Sequence, residues 1–278
     1  MKRFIYIIFC SILLPIPDFA FQNPFGKEKN FVPKEKLENY KGELSDYQRI
    51  SSKSLGYDLQ FRVYTPLGFS QREGLPAIYL TDGPGYINKD AGDMVNRLDQ
   101  MIEDQSIEPL MAIFIDSRDP NNLQRNRRNS QFMGNDKYLK FITDELVPYI
   151  DYNYNTDPQS QSRAIMGLSF GGLNAAYAGV KAYNTFSMIG MQSPALHSNP
   201  QIYDLYKESK ILPIKIFLST GTLNDTEKGT RLLKKVLEDK GYKFKYKEVP
   251  EGHNWRNWKP LIDEILIYFF GTESNNSN

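Results

Sequence analysis

The chain has 278 residues, enough for one α/β domain with a single large core, and nothing in its composition requires a second. Its 34 Lys and Arg nearly balance 33 Asp and Glu, a charge of +1 that argues against a nucleic-acid partner. The only cysteine is Cys10, which excludes a disulfide framework and a cysteine metal site.

Met1-Lys2-Arg3 followed by the apolar run Phe4 to Leu14 has the basic and apolar regions of an export signal. The run is short for a membrane span, and Pro15 and Pro17 break it. Cleavage near Ala20 is expected, giving a secreted or periplasmic protein without Cys10; an uncleaved segment would tether it to a membrane. Residues 21–45 lack periodicity and predict an extended surface arm, and 272–278 predict a disordered tail. That leaves 46–271 as the main α/β domain, expected to be a monomer or weak dimer.

Leu59, Phe61 and Val63 alternate with Gln60 and Arg62, the mark of an opening antiparallel hairpin. Leu75 to Thr81 reads as a buried strand feeding into Asp82-Gly83-Pro84-Gly85-Tyr86. A helix over 93–104 follows, with Met94, Leu98 and Met101-Ile102 as its stripe, then a strand over 110–115 and a loop with Arg118, Arg125, Arg127 and Arg128. That loop would meet an acidic substrate or simply face solvent. Tyr138, Ile142, Leu146 and Ile150 form one face of a helix over 136–152. Beyond residue 172 the pattern predicts strands at 186–191, 214–220 and 243–249 and helices at 226–240 and 258–270. Alternating strands and helices after an antiparallel opening predict a mostly parallel sheet with helices on both faces and a site at the C-terminal strand ends.

Between these elements, Ala164-Ile165-Met166 runs into Gly167-Leu168-Ser169-Phe170-Gly171 and on to a helix start. This is a nucleophile elbow, a G-x-S-x-G box whose turn is too tight for side chains two positions either side of the Ser. Ser169 is the candidate nucleophile, and the Phe170 N–H is half of an oxyanion hole at a helix N-terminus. A Ser needs a base, and the chain has two histidines. His253 follows the last strand, where the base of this topology belongs, whereas His197 reads as a surface loop residue. The orienting acid belongs in the loop after strand 214–220, where Asp225 is the candidate and Glu227 reads as first-turn helix charge. Asp225 would equally serve as a helix N-cap. The second oxyanion donor belongs to the loop after Thr81; Pro84 has no N–H, so Gly83, Gly85 and Tyr86 remain, with Tyr86 preferred.

From Ser45 to Phe270 the chain resembles the putative esterase family of α/β-hydrolases. The resemblance rests on Tyr79 to Gly83, Arg163 to Gly172 and Gly221 to Asp225, and most specifically on Lys240-Gly241-Tyr242 and Glu248 to Trp258. It looks closest to the enterochelin esterase-like branch. That implies an α/β-hydrolase fold and a serine carboxylic-ester hydrolase with Ser169, His253 and Asp225 as triad. An acyl-enzyme intermediate, no metal or other cofactor, and a small-molecule or glycan ester as substrate are implied with it. Two departures stand out. The branch often carries an N-terminal β-sandwich, for which the chain leaves no room, and its Arg-x-x-Glu pair is replaced, since Arg128 is followed by Gln131. Trp255, Trp258 and Arg128 are candidate substrate contacts. The same triad would also support acyl transfer, and the scaffold alone could serve a non-catalytic carbohydrate- or siderophore-binding protein.

Overall fold

The computed structural model describes residues 41–68 and 74–272; the expected export signal, most of the expected arm and the tail beyond Thr272 lie outside them. Eleven strands form among the described residues: β1 (Glu43–Leu44), β2 (Gln48–Ser52), β3 (Tyr57–Thr65), β4 (Ala77–Leu80), β5 (Met111–Asp116), β6 (Arg118–Asp119), β7 (Asn122–Asn126), β8 (Arg163–Leu168), β9 (Met188–Gln192), β10 (Lys215–Gly221) and β11 (Phe244–Val249). Nine build one sheet in the order β1-β3-β5-β4-β8-β9-β10-β11, with β2 also on β3. β1, β2 and β5 pair antiparallel with β3, and every pair from β5 onward is parallel. The opening hairpin and the parallel body are thus those expected. β1 lies within the segment expected as an arm, tied down by the Ser45 N–H to Val63 O at 2.9 Å.

The inner strands are buried on both faces, which is why β4, β5, β8 and β9 read as apolar runs rather than alternations. Ala77, Tyr79, Ile113, Ile165 and Ile189 enter one core; their neighbours Ile78, Leu80, Phe114, Ala164 and Met166 enter the other.

Among the described residues ten α-helices serve these layers: α1 (Gly83–Ile87), α2 (Met94–Glu103), α3 (Arg128–Phe132), α4 (Asp136–Phe141), α5 (Val147–Tyr154), α6 (Phe170–Lys181), α7 (Gln201–Glu208), α8 (Glu227–Lys240), α9 (Trp255–Trp258) and α10 (Leu261–Phe270). Residues of α4 to α8 pack in the first core, and those of α1, α2 and α10 in the second, so helices cover both faces of an α/β-hydrolase sheet. A π turn, Ile142–Leu146, joins α4 to α5. It has a reason in the sequence. A strict four-residue repeat drifts about 40° per step on an α-helix, and the wider π turn takes up that drift. Tyr138, Ile142, Leu146 and Ile150 therefore all stay fully buried, each burial worth about 1.5–3 kcal/mol over exposure.

The helix expected over 258–270 starts instead at Leu261, with Trp258 closing the short α9 before it. Pro260 ends α9 and serves as the N-cap of α10, because a proline ring cannot continue the preceding turn.

Candidate active site

β8 delivers the elbow. Ser169 has φ 56° and ψ −118°, a strained conformation for a residue with a Cβ. Three backbone bonds hold it: its N–H donates to Gln192 O at 2.9 Å, and its carbonyl accepts from Leu173 at 3.0 Å and Ala195 at 2.9 Å. A Cβ on Gly167 would collide with Thr81 Oγ1 and the Gly171 backbone, which is the close approach that the box demands. The Phe170 N–H, at the start of α6, has no partner among the described residues.

Asp225 and His253 come from the loops after β10 and β11. The Asp225 side chain is fully buried, and its Oδ1 is hydrogen-bonded to His253 Nδ1. Its Oδ2 accepts from Ser193 Oγ at 2.5 Å, Asn257 Nδ2 at 2.9 Å and the Gly221 N–H. None of these is a helix N–H of α8, whose N-cap is Thr226, so the capping role falls away. Burial raises the Asp225 carboxyl, but the bonds from His253, Ser193 and Gly221 outweigh it and hold the group at about 2. With Nδ1 engaged, His253 has Nε2 left for proton transfer. The ring packs edge-on to Trp258, centroids 4.9 Å apart.

Ser169, Phe170 and His253 line one cleft of about 240 Å³ together with Ala195, His197, Asn224, Asp225 and Thr226. No hydrogen bond joins Ser169 Oγ to the imidazole; such contacts often tighten only around substrate. His197, read from sequence as a loop residue, is exposed but sits on this wall.

Three expectations are revised. The Tyr86 N–H is bonded to Asp82 O at 3.4 Å within the turn of α1, and its buried hydroxyl donates to Gln192 Oε1 at 3.0 Å, so Tyr86 has no free N–H to offer. The Gly85 N–H is likewise bonded to Asp82 O, at 2.9 Å, so of the three candidates only the Gly83 N–H has no partner among the described residues. Arg128 does not reach out to a substrate: Nε and Nη2 grip both oxygens of Asp82 at 2.6 and 2.7 Å. The carboxylate missing three residues downstream is thus supplied by the loop after β4. Arg118 is also paired, with Asp116, and Arg125 and Arg127 share Asp119, so most of the basic loop's charge is met within the chain. Trp255 packs edge-on to Tyr86 and Trp258, both at 5.5 Å, and over Gly85; it does not line the cleft.

Sequence reasoning missed Ser193 and Asn257. Trp258, noted as an aromatic, also belongs here, since its indole N–H donates to Ser193 Oγ at 2.8 Å. The signal for Ser193 was its place immediately after a buried strand, beside the elbow. Among the described residues no group of three or more His, Cys, Asp or Glu is placed to hold a metal.

A family model described as Putative esterase matches residues 52–269. The chain is 25% identical over 232 residues to YjcH of Bacillus subtilis (strain 168), covering 79% of this chain and 94% of that one. Among solved structures, a ferulic acid esterase superposes with TM-score 0.72 at 18% identity, covering 83% of this chain and 98% of that one. The enterobactin esterase of Shigella flexneri superposes with TM-score 0.69 at 19% identity, covering 80% of this chain and 58% of that one. At these identities the superpositions establish the fold.

Proposed function

The chain belongs to the Putative esterase family and is a carboxylic-ester hydrolase, and on that premise we propose a serine mechanism carried by Ser169, His253 and Asp225. The observation that supports it most is the bond from His253 Nδ1 to a buried, ionised Asp225, on a histidine that shares a cleft with Ser169. Asp225 fixes the tautomer and steadies the imidazolium. His253 Nε2 takes the Ser169 proton as Oγ adds to the ester carbonyl, and the N–H groups of Phe170 and Gly83 receive the negative oxygen. Collapse breaks the C–O bond, the proton passes from His253 to the leaving alcohol, and an acyl-Ser169 remains. Water, deprotonated by the same histidine, then releases the acid.

The neighbours named for ferulic acid and enterobactin make esters of acids that carry a phenolic ring the first class to test. The basic and apolar N-terminal segment supports an exported protein. Hydrolysis of p-nitrophenyl butyrate is the direct assay. It should fall by about four orders of magnitude or more in Ser169→Ala and comparably in His253→Ala. A fluorophosphonate should label Ser169 alone, as read by peptide mass spectrometry; wild-type rates in either variant would defeat the mechanism.

A further inference from the structure

Arg128 contacts both segments that carry the proposed oxyanion donors without lining the cleft. Its guanidinium fork closes on Asp82, the residue that introduces Gly83, at 2.6 and 2.7 Å. The same Nη2 donates to Leu168 O at 3.1 Å, on the backbone that introduces Ser169, and the guanidinium lies over the Phe170 ring at 5.2 Å. One planar cation therefore ties the end of β4 to the end of β8. Asp82 needs that cation. Its Oδ2 lies 3.0 Å from where a Cβ on Gly171 would stand, in the first turn of α6, close to the N–H groups on which a negative oxygen would develop. A bare carboxylate there would repel the oxyanion through a largely buried medium.

We infer that Arg128 is a positioning residue for the oxyanion hole: it neutralises Asp82 and clamps the Gly83 turn against the elbow, so that the Gly83 and Phe170 N–H groups converge. The inference rests on the serine mechanism proposed above. Its signature is selectivity for the charged tetrahedral state, because the ground-state ester places no anion in the hole.

The experiment compares wild type, Arg128→Met, Arg128→Lys and the double variant Asp82→Asn/Arg128→Met. Each is assayed with p-nitrophenyl butyrate and with an alkyl trifluoromethyl ketone. That ketone accepts Ser169 Oγ at its carbonyl carbon, sends the serine proton to His253 and leaves a negative oxygen in the hole. Arg128→Met should lower kcat about 100-fold with KM within about 2-fold, and weaken the ketone by the same 100-fold. Arg128→Lys keeps the charge but loses the fork, and should lose about 10-fold; it serves also if the Met variant does not fold. The double variant removes both charges and should recover about 10-fold over Arg128→Met, a gain that a merely structural role would not produce. Ketone affinity unchanged in Arg128→Met, or a double variant no better than the single, overturns the inference while leaving the serine mechanism intact. A wild type inert toward the ester and unlabelled at Ser169 overturns both.

Discussion

Ser193 donates its hydroxyl to Asp225 Oδ2 at 2.5 Å, although the two lie 32 positions apart in the chain. Ser193 Oγ in turn accepts from the Trp258 indole N–H at 2.8 Å and the Asn257 amide at 3.1 Å, and that amide also donates to Asp225 Oδ2 at 2.9 Å. The acid is thus gripped by β9's exit, β10's loop and α9 at once, and the orientation of His253 depends on all three.

Ser193→Ala should therefore cost activity without touching substrate. Removing a buried hydrogen bond to a charged group destabilises by about 1.5–3 kcal/mol and leaves the Trp258 N–H unpaired. A roughly 10-fold fall in kcat at constant KM is expected, with urea unfolding reporting the stability loss.

Asp225 makes stability depend on acid. Its carboxyl sits at about 2 when folded, against 3.8 ordinarily, because the His253, Ser193 and Gly221 bonds overcome the burial that would raise it. That difference contributes about 2 kcal/mol, fully present above the unfolded value and lost as pH falls through the folded one. Urea titrations of wild type and Asp225→Asn at pH 5, 4, 3 and 2 should show the gap between them shrinking over that window. A constant gap would contradict the assignment.

The elbow stores strain at Ser169, where φ is 56° and ψ −118°. Glycine adopts that conformation without penalty. Ser169→Gly should thus be inactive yet more stable than Ser169→Ala by about 1 kcal/mol, as measured by thermal or urea unfolding.

Gly83 has no room for a methyl group: a Cβ would lie 2.5 Å from Phe114 C and 2.8 Å from Ile115 N, both backbone atoms of β5. Gly83→Ala must displace the oxyanion turn. About 1–3 kcal/mol of stability and about 100-fold in kcat should be lost together, with fluorophosphonate labelling slowed in parallel.

The strands and the elbow were legible because their signals are local. An apolar run such as Met111 to Ile115, or a Ser between two glycines, states its requirement within six residues. The long helix face was legible too, but the π turn was not, because a repeat of four does not say by itself how the backbone absorbs the drift. The site was readable where chain order carries meaning, as for Asp225 and His253. It was not readable where partners are chosen by three-dimensional proximity. Nothing near Arg128 announces Asp82, 46 residues earlier, and nothing near Tyr86 tells that its N–H closes a helical turn. The β6–β7 hairpin inside the basic loop was missed for the opposite reason: Asn122–Asn126 is exposed throughout and has no apolar period.

β11 carries one last consequence. It is the edge strand at one end of the sheet, paired only with β10, and exposes Lys245 and Lys247 as guards against edge-to-edge association. Yet this rim delivers His253, through a short run in which the Leu223 N–H still reaches Glu251 O at 3.2 Å. Peeling the rim away would leave the inner strands, the elbow and most of both cores in place while withdrawing the imidazole. Amides of residues 244–249 should then exchange with deuterium through a partial opening, and hydrolysis should fade at lower urea than the global transition. Function in this molecule would fail at its margin before the fold fails at its centre.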